Sequence, residues 1–450
     1  MLVVLLPTLV GGLALTPARL GVTSARVVWR HMSPRLSYDD APDADAPDAA
    51  DQTSLFASLR ARSLELEEGV AQRWRSAECT SRICLAVDNW VRRMAVDWPR
   101  AVVGTAEGGL YLSDLSTGEI LSRVEAHPGR GGSDRDMRLL YGEYDGGGLT
   151  AVAISGDVVV SAGRDAGARL WKIERDELIH VADLATDGAV VSQIAIGDGG
   201  RAIWLAGLDA KLRKFERAAD GSAHPRACVC THALEAAGAV LSLALDEPSG
   251  LVVAGTADGG IELFRADDCA ACGTWRPLAF DGSSGKKGAA TQSVAIAQVG
   301  TRRCVIAGGS DGTLYMRPMR AAVTDDLDAA GGATAAESGG DVFESGRLGQ
   351  PLLPAHGGSL VALAPLQPSS SASLLISGAH DGTLRVWDLG ELGADAINAK
   401  CLFGLGGYKV WLGSVWTDGK RLVSDGRDNL LVVHDFSEDK VDGDDGDEED

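Results

Sequence analysis

The sequence predicts an all-β fold in which seven small antiparallel sheets form one ring. One short phrase returns seven times along the chain: an apolar strand, a small residue, a turn with an acid, and a second apolar strand. The turn acids of successive copies are 44 to 70 residues apart. A repeat of about this period is typical of the four-stranded blades of a β-propeller. We therefore predict a single seven-bladed β-propeller.

Each copy of the phrase predicts a β-hairpin. The clearest copy is LLISGAHDGTLRVWDL at residues 374–389, with Asp381 and Gly382 in the turn. Glycine accepts a positive φ at no steric cost, and aspartate bonds nearby backbone N–H groups, so both suit a tight turn. The turn acids of the seven copies are Glu107, Asp165, Asp209, Asp258, Asp311, Asp381 and Asp428.

Further strands flank the hairpins. Short runs of small apolar residues precede them and predict inner strands packed between blades, at residues 149–154, 190–196, 239–245, 292–297 and 360–364. Other segments follow the hairpins and predict outer strands, at residues 119–127, 177–184, 227–234 and 400–405. Each blade thus has up to four strands.

The seventh blade needs a strand from the other end of the chain. After the seventh copy the sequence continues as SEDKVDGDDGDEED, which is too acidic for an apolar strand. SRICLAV at residues 81–87 precedes the inner strand of the first blade at residues 90–97. We predict that this N-terminal strand closes the ring, because a shared blade leaves no open sheet edge.

These features resemble the WD-repeat β-propeller family over residues 80–436. The resemblance implies a hydrogen-bonded tetrad in two copies. The matching residues are His356, Ser377, Asp381 and Trp387 in the sixth copy, and Ser161, Asp165 and Trp171 in the second, with His127 as a distant fourth member. By the same comparison, Phe215, Phe264 and Met316 stand where the tryptophan would be. The tetrad is expected to build the blade and to have no catalytic role.

The resemblance implies a non-catalytic scaffold that binds other proteins or peptides, without a cofactor, as a monomer within a larger complex. The sequence contains no G-x-S-x-G, H-E-x-x-H or P-loop motif, and its glycine-rich strings belong to blade turns. An enzyme or cofactor-binding propeller is an alternative. It would need a polar constellation at the channel mouth.

A helix is predicted at residues 53–79, since Leu55, Leu59, Leu64 and Val70 recur at near-helical spacing. QRWRS at residues 72–76 resembles the end of an F-box, which makes a substrate adaptor of a ubiquitin ligase a second alternative. The other hypothesis for this helix is that it packs on the propeller rim.

Four cysteines have suggestive spacing: Cys228-x-Cys230, and Cys269-x-x-Cys272 in a segment predicted to be the loop after the fourth hairpin. A zinc site would need all four sulfurs about 2.3 Å from one metal ion. A Cys-x-x-Cys redox pair and ordinary thiols are the other hypotheses.

The termini are unlike the repeats. Residues 1–37 combine an apolar run with four arginines and no acid before position 37, which resembles a plastid or secretory presequence. The protein would be cytoplasmic if the gene start were misassigned. The apolar run is too short for a stable membrane span. Residues 38–52 and 437–450 are predicted to be an acidic disordered linker and an acidic disordered tail.

The formal net charge is −21. The sequence shows no basic stripe, and an acidic surface repels the phosphate backbone of nucleic acids. Direct binding of DNA or RNA is therefore not expected.

Overall fold

The computed structural model describes residues 49–128, 148–217, 230–233, 238–277, 289–300, 302–320, 342–343, 350–352, 355–369, 372–390, 399–408, 412–427 and 429–437. The predicted presequence, most of the predicted linker and the tail from residue 438 onward lie outside these residues, so those interpretations stay predictions. Residues 58–450 belong to one compact unit.

Helix α1 (Ala49–Ser76) begins and ends a few residues before the predicted bounds. It ends where Ala77 adopts a left-handed φ of 59°. Its last turns bury Val70, Ala71 and Trp74. The Trp74 ring stacks on Phe436 with centroids 3.6 Å apart, and its Nε1 donates to the carbonyl of Gly419 at 2.8 Å. This end of the helix is therefore fixed to the last strands of the chain.

The strands follow the helix in chain order. The first strand, β1 (Thr80–Ala86), precedes blade 1, which contains β2 (Val91–Asp97), β3 (Arg100–Thr105), β4 (Gly109–Asp114) and β5 (Glu119–Glu125). Blade 2 contains β6 (Leu149–Ser155), β7 (Val158–Gly163), β8 (Ala168–Glu174) and β9 (Glu177–Leu184). Blade 3 contains β10 (Val191–Gly197), β11 (Ala202–Gly207), β12 (Lys211–Glu216) and β13 (Cys230–Ala233). Blade 4 contains β14 (Val240–Asp246), β15 (Leu251–Thr256), β16 (Ile261–Arg265) and β17 (Ala271–Trp275).

Blade 5 contains β18 (Thr291–Val299), β19 (Arg302–Gly309), β20 (Leu314–Pro318) and β21 (Gln350–Leu352). Blade 6 contains β22 (Leu360–Ser369), β23 (Ala372–Ala379), β24 (Thr383–Asp388) and β25 (Lys400–Gly406). The last three strands are β26 (Val415–Thr417), β27 (Arg421–Arg427) and β28 (Leu430–Asp435). Short 3₁₀ turns at Asp198–Gly200 and Glu247–Ser249 connect the first two strands of blades 3 and 4.

Within the described residues these strands form seven four-stranded antiparallel sheets, so the predicted seven-bladed propeller is confirmed. The order in blade 7 is β1-β28-β27-β26. Strand β1 pairs with β28 from Thr80 opposite Asp435 to Ala86 opposite Leu430. The N-terminal strand therefore supplies the outer strand of the last blade, as predicted, and closes the ring.

The core is divided among the gaps between neighbouring blades. Small residues near the end of the second strand in blades 1 to 6 let the next blade approach closely. A Cβ atom at Gly104 would lie 2.7 Å from Leu149 Cδ2, and one at Gly378 would lie 2.2 Å from Leu412 Cδ2. Glycine is needed at these positions because a side chain would collide with the first apolar residue of the following blade.

Two details of the sequence interpretation are corrected. Met316 does not stand where the family's tryptophan would be. Val305 pairs with Arg317 in blade 5 as Leu375 pairs with Trp387 in blade 6, so Arg317 has that position. The error is one residue, and in a strand one residue turns a side chain to the opposite face.

The second correction concerns Cys269-x-x-Cys272, which is not confined to a loop. Cys269 lies in the turn after β16, and Cys272 lies in the outer strand β17. The segment was difficult to identify as a strand because Ala271, Gly273 and Thr274 have little of the bulk that marks the other strands.

Helix α1 is the longest helix among the described residues, and none of the helices described is long and apolar enough to cross a membrane.

Candidate functional site

The tetrad predicted for blade 2 is assembled in the structure. Trp171 Nε1 donates to Ser161 Oγ at 2.9 Å, and Ser161 Oγ lies 2.9 Å from His127 Nε2. His127 Nδ1 lies 2.8 Å from Asp165 Oδ1. His127 reaches this group although it stands 34 residues before Ser161. One histidine tautomer satisfies this chain: Nδ1–H donates to Asp165, and Nε2 accepts the Ser161 hydroxyl proton.

Blade 6 repeats the same arrangement. Trp387 Nε1 donates to Ser377 Oγ at 2.8 Å, and Ser377 Oγ lies 2.7 Å from His356 Nε2. His356 Nδ1 lies 3.2 Å from Asp381 Oδ2. The structure therefore brings together all the residues that the sequence assigned to the two tetrads.

The Ser-His-Asp order in these tetrads is also the order of a nucleophilic triad, but burial prevents that chemistry. Ser161 and Ser377 are both 0 % exposed, so no substrate carbonyl reaches either hydroxyl. Burial lowers the pKa of His127, against the opposing effect of Asp165, so its imidazole is neutral at pH 7. Burial alone would raise the pKa of Asp165, but hydrogen bonds from His127 and Arg169 lower it well below its usual range. The tetrads hold the blade turns.

Other blades hold the turn acid with different partners. In blade 3, Arg213 donates from both terminal nitrogens to Asp209, at 3.1 and 2.6 Å, and also to Asp187 at 3.1 Å. In blade 5, the Tyr315 hydroxyl donates to Asp311 at 3.3 Å. The tetrad can therefore be replaced without loss of the turn.

The inner strands of the blades line a central channel with a cavity of about 360 Å³. We define the channel mouth as the part of this lining at the same end of the strands as the turn acids. Its polar side chains include Arg92, Arg93, Gln193, Gln292 and His380.

A shared backbone feature positions most of these side chains. In blades 1 to 6 the inner strand has a β-bulge near its first residue, where the register shifts by one. A bulge leaves one residue unpaired and re-aims its side chain. The unpaired residues are Arg92, Thr150, Ser192, Leu241, Gln292 and Val361.

Charge distinguishes blade 1 from the other five blades at this position. The structure describes the bulge residue of each of blades 1 to 6 and the residue that follows it. Among these, the only charged side chains are those of Arg92 and Arg93. Arg92 is 5 % exposed, and its Cζ lies 5.5 Å from the ring centre of Trp90, which is itself exposed. The bulge of blade 1 therefore places two cations where the other blades have neutral groups.

Serine residues at neighbouring positions have a structural role. Ser192 Oγ donates to the carbonyls of Ala206 and Val240, the latter in the next blade, at 3.1 and 2.6 Å. Ser293 Oγ donates to the carbonyl of Leu360 at 2.8 Å. These bonds join adjacent blades and make the frame around the channel mouth rigid.

A buried carboxylate lies behind the two arginines, at the contact between blades 7 and 1. Asp425 is 0 % exposed, and its Oδ1 accepts the backbone N–H groups of Gly413 at 2.8 Å and Ser414 at 3.1 Å. No group among the described residues bonds its Oδ2. Burial raises the pKa of Asp425 to about 7, although the two amides and the charge of Arg93 act in the opposite direction.

The opposite end of the channel is electrically balanced. Asp246 ends β14 and lines the cavity there. Its carboxylate forms an ion pair with Arg303 and accepts the backbone N–H of Ser249 at 3.2 Å. The cationic groups of the channel are therefore concentrated at the mouth.

Of the four cysteines named in the sequence, the two whose side chains are described lie against different cores. Cys228 lies outside the described residues, and Cys230 lies on β13. Cys269 belongs to the core between blades 3 and 4, whereas Cys272 packs against the core between blades 4 and 5. Within the described ranges, no three His, Cys, Asp or Glu side chains are placed to hold one metal ion.

Comparison with known proteins gives one match to a family model. The family model described as "WD domain, G-beta repeat" matches residues 349–388, which include the complete tetrad of blade 6. The matched segment includes β22, β23 and β24 of blade 6, which is one of the seven four-stranded blades among the described residues. This chain therefore carries a segment that matches the WD repeat within a seven-bladed β-propeller. A comparison with curated proteins finds no match.

Among solved structures, the chain is similar to the one described as "Crystal structure of the computationally designed Ika8 protein: crystal packing No.1 in P63". The sequence identity is 18 %, and the match covers 79 % of this chain and 99 % of that chain with a TM-score of 0.46.

The channel mouth of this propeller was not found from the sequence. Arg92 and Arg93 lie inside a segment identified only as an apolar inner strand. Two adjacent cations in a strand that is otherwise buried are a signal that could have found them, because charged residues are rarely buried without a purpose.

Proposed function

We propose that this propeller is a non-catalytic scaffold that binds other proteins or peptides at its channel mouth. The observation that supports this proposal is the contrast between the backbone and the side chains of the mouth. The bulged backbone repeats from blade to blade, whereas the side chains that it presents differ. A repeated frame with variable side chains is suited to recognition of one specific partner.

The residue types at the mouth support this function. Arginine and tryptophan are enriched among the residues that contribute most to protein interfaces. Arg92 lines the mouth and contacts the ring of Trp90 beside it, and Gln193 and Gln292 provide neutral hydrogen-bonding groups on other blades. The rigid inter-blade bonds reduce the entropy lost on binding.

Affinity purification with mass spectrometry tests the proposal. A mouth variant, Gln193→Ala/Gln292→Ala/His380→Ala, is compared with the wild type and with a control, Arg201→Gln/Arg265→Gln. The control residues form exposed ion pairs with Asp198 and Asp268 at the other end of the strands. We expect partners that are recovered with the wild type and the control and lost with the mouth variant. Recovery of the same proteins by all three, at equal melting temperature, would contradict the proposal.

The ubiquitin-ligase adaptor is a second candidate, favoured by one observation. Helix α1 leaves Leu59, Leu64 and Leu66 exposed, which a partner subunit could cover. However, Trp74 of the F-box-like segment packs against Phe436 of the propeller. Co-purification of a Skp-type or cullin-type subunit that is lost in Leu59→Ser/Leu66→Ser would support the adaptor. Its absence from the wild-type sample would remove this candidate.

A further inference from the structure

The two arginines of blade 1 give the channel mouth a specific chemistry. Arg92 is the bulge residue that has no partner residue in the register of β3. Arg93 follows it and lies opposite Gly104. Arg93 Nη1 donates to the carbonyl of Arg92 at 2.9 Å, which holds the two residues in one arrangement. Two neighbouring guanidinium groups, one of them almost fully buried, therefore line the same cavity.

This positive charge is local. The chain as a whole carries a formal charge of −21, and the acid at the other end of the channel is paired with Arg303. A charge in a partly buried cleft acts through a lower effective dielectric than a charge in open solvent, so its effect on a bound group is larger. The cationic mouth is thus an exception to the charge of the rest of the molecule.

We propose that the channel mouth binds an acidic side chain of a partner peptide, with Arg92 and Arg93 recognising its carboxylate. This inference rests on the proposed function, since it names the class of partner for the same site. A guanidinium has five N–H donors in a planar fork that matches the two oxygens of a carboxylate. Hydrogen bonds between such charged groups are about twice as strong as neutral ones.

The size of the cavity agrees with a single inserted segment. A volume of about 360 Å³ lies at the small end of the range of about 300–1,000 Å³ typical of ligand pockets. Such a space accepts one or two side chains of an extended peptide. The exposed ring of Trp90 beside Arg92 offers an apolar contact for the peptide outside the cavity.

Asp425 opposes this binding when it is ionised. A Cβ atom built on Gly413 would lie 2.9 Å from Arg93 Nη1 and 3.4 Å from Asp425 Oδ2, so the guanidinium and the carboxylate both lie close to Gly413. A negative charge at Asp425 reduces the attraction that Arg93 exerts on a ligand carboxylate. Replacing Asp425 by asparagine keeps the shape of the side chain and removes that charge.

A pair of matched peptides tests the inference on the full chain. The probe is a fluorescent, terminally blocked Gly-Ser peptide with two central glutamates, and the reference is the same peptide with glutamines. Binding is measured by anisotropy at low and at physiological salt. We expect the glutamate peptide to bind the wild type on the order of tenfold more tightly, and more weakly as salt is added.

Three variants make the result specific. Arg92→Gln/Arg93→Gln removes the preference for glutamate, whereas the control Arg201→Gln/Arg265→Gln retains it although its net charge changes by the same amount. Asp425→Asn strengthens binding of the glutamate peptide at pH 8 by about two- to fivefold. Misfolding cannot imitate a gain in affinity, so this variant keeps the test valid even if the arginine variant is unstable.

The outcomes separate this inference from the proposed function. Equal binding of the two peptides to the wild type, or an unchanged preference in the arginine variant, would overturn the inference and leave mouth-dependent protein partners unaffected. If purification finds no partner that depends on the mouth but the glutamate preference holds, the scaffold proposal fails and the carboxylate site stands.

Discussion

Blades 6 and 7 are neighbours in the ring and hold buried polar groups in opposite ways. In blade 6, Gly378 is the small residue that admits Leu412 of the next blade, and the polar groups form the complete tetrad around Ser377. In blade 7 the same place in the repeat is occupied by Asp425, held by two backbone amides. The repeat therefore tolerates a buried acid at the one contact where the two ends of the chain meet.

The difference changes how each blade responds to pH. Hydrogen bonds from Thr383 and Gly357 outweigh burial and lower the pKa of Asp381 in blade 6. Its contribution to stability is present above the ordinary aspartate pKa and is lost as the pH falls. Burial raises the pKa of Asp425 to about 7, so the stability linked to its protonated form is lost as the pH rises towards and through 7. The two carboxylates therefore act on stability with opposite signs.

The largest expected effect comes from removing the closure itself. Deletion of residues 1–87 removes β1 as well as Trp74, and leaves β28 as an open edge. We expect a loss of at least about 5 kcal/mol in the free energy of unfolding, or failure to fold. Deletion of residues 1–79 keeps β1 and should cost clearly less. Thermal unfolding of both proteins measures the difference, and an unchanged melting temperature in the longer deletion would refute closure by β1.

The tetrad of blade 6 should show the next largest effect. Trp387 is buried and bonds Ser377, so Trp387→Ala is expected to lower the free energy of unfolding by about 3–5 kcal/mol. Trp387→Phe keeps most of the packing and loses only the N–H donor, which should cost about 1–3 kcal/mol. Urea denaturation gives both values. A phenylalanine variant as unstable as the alanine variant would show that the hydrogen bond, and not the packing, dominates.

Asp425→Asn should remove the pH effect of this group in blade 7. The pKa of about 7 lies about 3 units above the ordinary value, which corresponds to up to about 4 kcal/mol between the two protonation states. We expect the variant to be close to the wild type at about pH 4, where Asp425 is protonated in the folded state and partly protonated in the unfolded state, and to be more stable by up to that amount at pH 8. Asp381→Asn in blade 6 is the matched control, and it should be less stable than the wild type at pH 8. Chemical denaturation at both pH values measures the free energy of unfolding. The same dependence of this free energy on pH in Asp425→Asn and in the wild type would contradict the prediction.

The same comparison shows what the sequence could predict. Hairpins depend on neighbouring residues, so the turn acids and the flanking apolar runs sufficed to place the seven blades. The tetrad was found because its residue types recur together, and the role of β1 followed from the cost of an open edge. His127 was harder, because a long insertion separates it from Ser161.

The candidate site depends on pairing that one strand does not reveal. Arg92 has no partner residue on β3 because the register of β2 against β3 shifts there. No residue of β2 indicates that shift in the sequence. Asp425 resembles a turn residue in SDGRD, and its burial follows from packing between blades 7 and 1. The interchange of Met316 and Arg317 has the same origin, since alternation in a strand is decided by the partner strand.

The smallest effect is expected at the other end of the contact between blades 7 and 1. There Arg421 forms ion pairs with Asp418 at 2.9 Å and Asp435 at 3.1 Å, and its Cζ lies 4.4 Å from the ring centre of Trp98 in blade 1. Because these groups are partly exposed and their charges are already paired, Arg421→Gln should cost only about 1 kcal/mol.

Salt distinguishes the two ends of this contact. Added salt screens partly exposed ion pairs, so the difference in unfolding free energy between Arg421→Gln and the wild type should shrink in high salt. The effect of Asp425→Asn at pH 8 should persist, because a fully buried carboxylate is screened much less. Denaturation of both variants at low and high salt measures this. If the effect of Arg421→Gln persisted in high salt and the effect of Asp425→Asn did not, the prediction would be wrong. The ion pairs of Arg421, and not the buried Asp425, would then determine the stability of the contact.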